Sequence, residues 1–378
     1  MKIYCVIKLI KLIYKMRWIV KQDNNSSYVY GSSNDYVREN KTVKMAGFDM
    51  DGTLIDTLSG NKFPRNSEDW KWKYENVKKI LNRYYKKQYN IIIVTNQAGI
   101  KDNNTKLNIW KKKIEYMEAD ILLSYPLLRF EIYCLTHKDI HRKPYPKIFE
   151  DINFDDTSFF CGDGAGRMND HTDADIKFAH NINVNFYTPE NIFCKDTQII
   201  TIDYLVNFNK KTIPYKYSIN NKPELIIMFG LPASGKSYWS QHIIDIHNKS
   251  NRPIDYVNMD TLKTNTKMKQ AIRMGVNNKN NILIDNTNLD KKTRINLIDL
   301  VKNINPKYVV RVIVLKTSFT RIIHNNSYRH YTTNKIIPEF VLKMMKNKME
   351  KPDYDEPIDL IEKIEFEQPE NKMYYLFY

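Results

Sequence analysis

Cysteine is scarce in this 378-residue chain and spaced badly for chemistry. The four residues are Cys5, Cys134, Cys161 and Cys194, and none sits at the C-x-x-C spacing of a zinc site or redox pair. They read as buried free thiols in a reducing intracellular compartment, nucleus or cytoplasm. Long apolar runs are also missing. Lysines interrupt the apolar stretches of the N-terminus, so no span reaches bilayer length and no secretory signal core appears. There is no internal repeat and no long low-complexity tract. Acidic residues fall short of basic ones: 43 Asp and Glu face 59 Lys and Arg, a formal net charge of +16. That excess favours a polyanionic partner, either nucleic acid or an acidic membrane face. A merely solvated basic surface is the plain alternative. Tyr, Asn, Lys and Ile are abundant, as an A/T-biased genome would produce, so part of the excess reflects codons.

What is present is enough apolar residue, 42% of the chain, to build the cores of two ordinary domains. From Met1 to Lys21 the chain carries Lys2, Lys8, Lys11, Lys15, Arg17 and Lys21 and no acid. That suits a mitochondrial presequence; we favour an extension, residues 1–41, that packs on the first domain or stays mobile. Gln22 to Asn40 is polar with a short Tyr28-Val29-Tyr30 core and reads as loop, or as loop with one strand. From Thr42 onward, short apolar runs alternate with longer amphipathic segments, the βαβ signature of parallel sheets. Strands are expected at Val43–Phe48, Ile91–Val94 and Phe159–Gly162, each delivering a polar residue at its C-terminal end, where parallel α/β sheets place their sites. Residues 207–223, with Pro214 and Pro223, read as a linker. A second series follows at Leu225–Phe229, Tyr256–Asn258, Ile282–Ile284 and Val309–Leu315. The expectation is two α/β domains, 42–206 and 224–378, both with parallel sheets.

The first domain carries Phe48-Asp49-Met50-Asp51-Gly52-Thr53 after a strand. One carboxylate can attack phosphorus and form an aspartyl-phosphate. The other can protonate the leaving oxygen and then activate water. Thr95, Lys143 and Asp163 follow in order and supply a hydroxyl, an ammonium and a further carboxylate for the phosphoryl charge and Mg²⁺. Singly, each has a duller reading: Asp51-Gly52 and Asp163-Gly164 as turns, Thr95 as a cap, Lys143 as a solvated lysine. Together, their order and contexts resemble the haloacid-dehalogenase-like phosphatases. That resemblance implies Asp49 as nucleophile, Asp51 as acid/base, and Mg²⁺ on the Asp49 side chain, the Asp51 carbonyl and Asp163.

The second domain carries Gly230-Leu231-Pro232-Ala233-Ser234-Gly235-Lys236-Ser237, a P-loop between a strand and a helix start. Its backbone N–H groups, from Gly230 through Ser234 and Gly235, wrap nucleotide phosphates; Lys236 neutralises β/γ oxygens and Ser237 ligates Mg²⁺. ATP is therefore the expected donor. Asp260 is the candidate general base for an attacking hydroxyl, with a helix N-cap as its alternative. Asp285 ends a strand and supports a Mg²⁺ water shell, or is a turn aspartate. Arg329 sits in a polar run and is a candidate lid arginine.

The combination resembles the eukaryotic-type polynucleotide kinase 3′-phosphatases from about Thr42 to the C-terminus. The matching stretches include Ser59-Gly60-Asn61-Lys62-Phe63-Pro64 with Asp69-Trp70, Thr95-Asn96-Gln97-Ala98-Gly99-Ile100 and Arg142-Lys143-Pro144. They continue with Gly162-Asp163-Gly164-Ala165-Gly166-Arg167, Asp260-Thr261-Leu262, Asp285-Asn286-Thr287-Asn288 and His324-Asn325-Asn326. The phosphatase-first order is that of the eukaryotic type. The resemblance implies removal of 3′-phosphates and ATP-dependent phosphorylation of 5′-hydroxyls, leaving a DNA end that a ligase can seal. It supports Asp260 as base and Arg329 as lid arginine, and it puts Asp170 where the family has a further phosphatase-site aspartate. Phe63 and Trp70 fall in a segment near that pocket, as base-stacking aromatics or as core. We expect a monomer that binds no membrane and carries no forkhead-associated module, since only about forty residues precede the phosphatase, too few for a typical domain. Two departures stand out: Met259 where a basic residue is expected, and a short stretch between Arg167 and Asp170. RNA ends, or small molecules handled by a phosphatase–kinase fusion, are the alternative substrates.

Overall fold

The computed structural model describes residues 16–23, 26–33, 42–201, 215–333, 335–367 and 372–377. The chain divides into two units, residues 1–203 with 376–378, and residues 204–375. No helix among the described residues is long and apolar enough to cross a membrane.

The first unit is built on a seven-stranded sheet. In chain order its strands are β1 (Arg17–Asp23), β2 (Ser26–Ser32), β3 (Met45–Phe48), β4 (Asn90–Asn96), β5 (Phe130–Leu135), β6 (Phe159–Cys161) and β7 (Asn185–Tyr187). They lie side by side as β1-β2-β5-β4-β3-β6-β7. The five strands from β5 to β7 run parallel, while β1 and β2 are antiparallel. The parallel part follows from sequence: Ile91-Ile92-Ile93-Val94 has no polar alternation, so both faces of β4 must be covered. Ile91 and Ile93 enter one apolar cluster, and Ile92 and Val94 the other. Helices α1 (Val77–Lys86), α2 (Asn104–Ser124) and α3 (Ala174–Asn181) belong to this unit.

The N-terminal reading needs correction. The sheet begins at Arg17, not at Thr42, because β1 and β2 form a hairpin whose second strand pairs with β5 from Tyr28↔Leu135 to Ser32↔Glu131. Met16 and Val29 are buried in the core, and Trp18 meets Trp110 edge-on at 5.7 Å. The expected strand Val43–Phe48 is also split: Thr42–Val43 pairs with Asn153–Phe154, and only Met45–Phe48 enters the main sheet.

The second unit has five parallel strands: β8 (Glu224–Phe229), β9 (Ile254–Val257), β10 (Asn281–Ile284), β11 (Val309–Lys316) and β12 (Leu360–Glu365). Their order is β9-β10-β8-β11-β12. β8 is again apolar on both faces, Leu225 and Ile227 toward one cluster, Ile226 and Met228 toward the other. Its helices are α4 (Lys236–Lys249), α5 (Met259–Leu262), α6 (Asn265–Asn277), α7 (Lys291–Lys302), α8 (Phe319–Thr333) and α9 (Glu339–Asn347). Part of the expected linker belongs to this unit, because Tyr217 is buried against its sheet and the Tyr217 hydroxyl meets His247 Nε2 at 3.0 Å. Residues 207–214 of that linker lie outside the described residues.

Candidate active sites

In the first unit, Asp49 leaves the C-terminal end of β3, Thr95 lies at that end of β4, and Asp163 follows β6. The chain turns at Gly52, whose φ is +79°, a conformation that favours glycine. A Cβ there would stand 2.5 Å from Asp163 Oδ2, so space demands glycine as well. Lys143 is buried and bonds Asp49 Oδ1 at 2.6 Å, Asp175 Oδ1 at 2.7 Å and the Val94 carbonyl at 2.7 Å. Carboxylate oxygens of Asp49, Asp163 and Asp175 lie within 4.8 Å of one another.

Electrostatics gives this cluster its character. Burial pushes the Asp49 carboxyl well above the usual range, against the pull of Lys143. Burial likewise raises Asp163, with Asp175 adding to it. Burial works to lower the Lys143 ammonium, but Asp175 and Asp49 outweigh it and hold it up. Three carboxyl groups gather around one ammonium, so the cluster is rich in acidic oxygens. An all-oxygen donor set of that kind fits a hard divalent cation. Asp51 lies outside the trio. Its side chain is half exposed; Gln97 Nε2 donates to Oδ2 at 2.5 Å and Lys113 Nζ to Oδ1 at 3.5 Å.

In the second unit, β8 runs into the glycine loop and α4. Gly235, at φ +99°, caps the N-terminus of α4, where free backbone N–H groups and the helix dipole favour an anion. The Ala233 carbonyl accepts from Asn325 Nδ2 at 2.8 Å, and the Ser234 carbonyl from Thr317 Oγ1 at 2.8 Å. Gly230 admits the buried Ser234 hydroxyl, which a Cβ would approach to 2.7 Å. Lys236 donates to the Gly230 and Leu231 carbonyls at 2.9 and 2.8 Å. Burial pulls its ammonium down to about 8, with Asp285 opposing. A cavity of about 850 Å³ is lined by Lys236, Ser237, Asp260, Asp285 and Arg329 together. Asp285 is held by the Tyr256 hydroxyl at 2.8 Å, and Arg329 reaches Asn326 Oδ1 at 3.1 Å.

Residues 44–193 match the family model for polynucleotide kinase 3 phosphatase, and residues 225–352 match that of an AAA domain. A bifunctional polynucleotide phosphatase/kinase of Schizosaccharomyces pombe is 31% identical over 346 residues, 88% of this chain and 82% of that protein. The chain belongs to the bifunctional polynucleotide phosphatase/kinase family. An Acanthamoeba polyphaga mimivirus protein named for the same two activities is 29% identical over 96% of this chain and 94% of its own length. The Arabidopsis thaliana polynucleotide 3′-phosphatase is 30% identical, over 41% of this chain and 24% of that protein. The first unit is thus a polynucleotide 3′-phosphatase and the second a nucleotide-using polynucleotide kinase.

Within this phosphatase/kinase the residues expected from sequence divide clearly. Asp49, Lys143 and Asp163 come together, and so do Lys236, Ser237, Asp260, Asp285 and Arg329. Asp170 does not join the carboxylate trio. It accepts from the Ala165 and Arg167 amides at 3.0 Å and pairs with Arg167 Nε at 2.9 Å, so it shapes the loop. The carboxylate that sequence reasoning missed is Asp175, near the start of α3, which accepts from the Gly164 amide at 2.9 Å. Its only sequence signal was the close packing that two glycines, Gly162 and Gly164, allow it. Phe63 is 73% exposed on the 57–69 loop, which Asp69 ties down through Ser59 and Arg65. Trp70, partly buried beside the core, packs edge-on against Trp72 at 5.4 Å.

Proposed function

We propose that this enzyme heals DNA strand ends, converting 3′-phosphate and 5′-hydroxyl termini into termini that a ligase can join. The observation that carries the phosphatase half is the Lys143 ammonium bonded between Asp49 and Asp175, with Asp163 alongside. Asp49 Oδ attacks phosphorus and forms an aspartyl-phosphate while the P–O3′ bond breaks. Asp51 gives a proton to O3′, then takes one from the water that hydrolyses the intermediate. Lys143 and the Thr95 hydroxyl bind phosphoryl oxygens. Asp49, Asp163 and Asp175, with the Asp51 carbonyl, would hold Mg²⁺, which supplies charge neutralisation on the phosphoryl group.

In the kinase half, Asp260 takes the proton of the 5′-hydroxyl, whose oxygen bonds to the γ-phosphorus of ATP as the β–γ bridge bond breaks. Lys236, Arg329 and the α4 N-terminus hold the transferring charge. Cys134 and Cys161 are buried free thiols, as suits a reducing compartment, whereas Cys194 is free but exposed, contrary to the expectation of burial.

The test uses purified protein, Mg²⁺, ATP and a nicked DNA duplex bearing 3′-phosphate and 5′-hydroxyl, beside an RNA duplex and mononucleotides. Conversion of both DNA ends is the expected result. Preference for the RNA would move the substrate class, and turnover of mononucleotides alone would sink the end-healing reading.

A further inference from the structure

The Asp51 carboxylate is half exposed, yet each oxygen has its own donor, Gln97 on one side and Lys113 on the other. Gln97 Nε2 also donates to Thr95 Oγ1 at 2.9 Å. An amide nitrogen carries two hydrogens, one for each of these contacts. Because Thr95 accepts from Gln97, its own hydrogen is free for a phosphoryl oxygen. One amide group therefore spans the carboxyl read as the acid and the hydroxyl read as a phosphate ligand.

Both donors are built in. The Gln97 backbone N–H donates to the Leu135 carbonyl at 2.8 Å, at the end of β5. Lys113 lies on α2 in the buried stripe of Trp110, Ile114 and Met117, and is itself 3% exposed. Its ion pair among the described residues is with Asp51, at 3.5 Å. As core filling, a lysine is a poor occupant of that stripe. Aimed at Asp51, it has a reason to be there.

We propose that Gln97 and Lys113 are positioning residues that hold Asp51 against the leaving oxygen. The proposal rests on the reading of Asp49 as nucleophile and Asp51 as acid. In the step they serve, Asp49 Oδ bonds to phosphorus, the P–O3′ bond breaks with its electron pair on O3′, and the Asp51 proton passes to O3′. A half-exposed carboxyl with free torsions spends part of its time turned to water; donors on both oxygens fix one orientation. Each carboxyl oxygen has a second lone-pair site, so the acidic proton does not compete with the donors.

The test compares kcat/KM for two DNA oligonucleotides that differ in one atom. One ends in an ordinary 3′-phosphate; the other has sulfur bridging C3′ and phosphorus. The thiolate leaves without a proton, so a misplaced acid is bypassed. Gln97→Met, Gln97→Glu and Lys113→Met are expected to lower kcat/KM on the oxygen substrate by roughly 30-fold, below the 10²–10⁴ that an acid supplies. On the sulfur substrate the loss is under about threefold, and Asp51→Asn shows the same split. Equal losses on both substrates overturn the proposal, because the two residues then serve the phosphate site or the fold. Intact activity of the Gln97 and Lys113 variants beside a bypassed Asp51→Asn overturns it alone. If Asp51→Asn itself loses equally on both substrates, the acid reading fails first and takes the proposal with it. Gln97 lies on a partly exposed turn, so its variants carry the test should Lys113→Met not fold.

Discussion

At the scale of single residues, buried charge separates function from packing. Lys143 is buried beside two carboxylates and is matched; Glu118 is buried without such a match. Glu118 sits on α2 with Oε1 lacking a hydrogen-bond partner among the described residues, and burial pushes its carboxyl up to about 7. A raised carboxyl stabilises the fold fully below its unfolded value, and that contribution is lost as pH rises through the folded value. The window therefore runs from about pH 4.5 to about pH 7. The full loss is on the order of 3 kcal/mol, from the free energy of each pKa unit. Glu118→Gln should remove this slope: the variant gains on the wild type between pH 5 and pH 8 in the unfolding of the phosphatase unit. Parallel denaturant midpoints for the two proteins across that range would sink the assignment of Glu118 as the titrating group.

At the scale of elements, the N-terminal hairpin is the piece most exposed to test. It covers the β5 edge, which would otherwise present unpaired backbone groups to other chains. It also contributes Met16 and Val29 to the core, each worth about 1.5–3 kcal/mol when fully buried. Deleting residues 1–33 should cost several kcal/mol by that scale and leave a phosphatase that aggregates, read as a lost melting transition and lost activity, with kinase turnover retained. A truncated chain with full phosphatase activity would reduce the hairpin to an ornament. Sequence reading allowed one strand at most, around Tyr28-Val29-Tyr30, and no hairpin, because Trp18, Val20, Val29 and Gly31 mix polar and apolar neighbours too irregularly to mark a paired strand. The parallel strands were legible because unbroken Ile and Val runs need two covered faces. Their ends then located Asp49, Asp163 and Lys236. Asp175 and Lys113 were not legible for the opposite reason. Each lies inside a helix, Lys113 within a run of three lysines, and only tertiary packing reveals which of them points inward.

At the scale of the whole molecule, two units with separate sites make the two activities independently removable. Asp49→Asn should abolish 3′-phosphate removal and spare the kinase. Lys236→Ala should do the reverse, with several kcal/mol of lost charge stabilisation. Loss of both activities in either variant would point to a shared site. The net charge of +16 belongs to the same scale, and its meaning can be measured. If it tracks a nucleic-acid backbone, each phosphate contact releases counterions, with a slope of about −0.7 in log K against log salt for single strands. Four such contacts lower kcat/KM roughly 50-fold between 50 and 200 mM salt by that slope. A mononucleotide 3′-phosphate has no backbone to release ions from and should change little over the same range. The decisive comparison is therefore the difference between the two substrates in one enzyme preparation. A steep loss on the oligonucleotide alone assigns the basic surface to the substrate strand. Equal, shallow losses on both would make the charge an ordinary solvated surface and leave substrate choice to the two pockets.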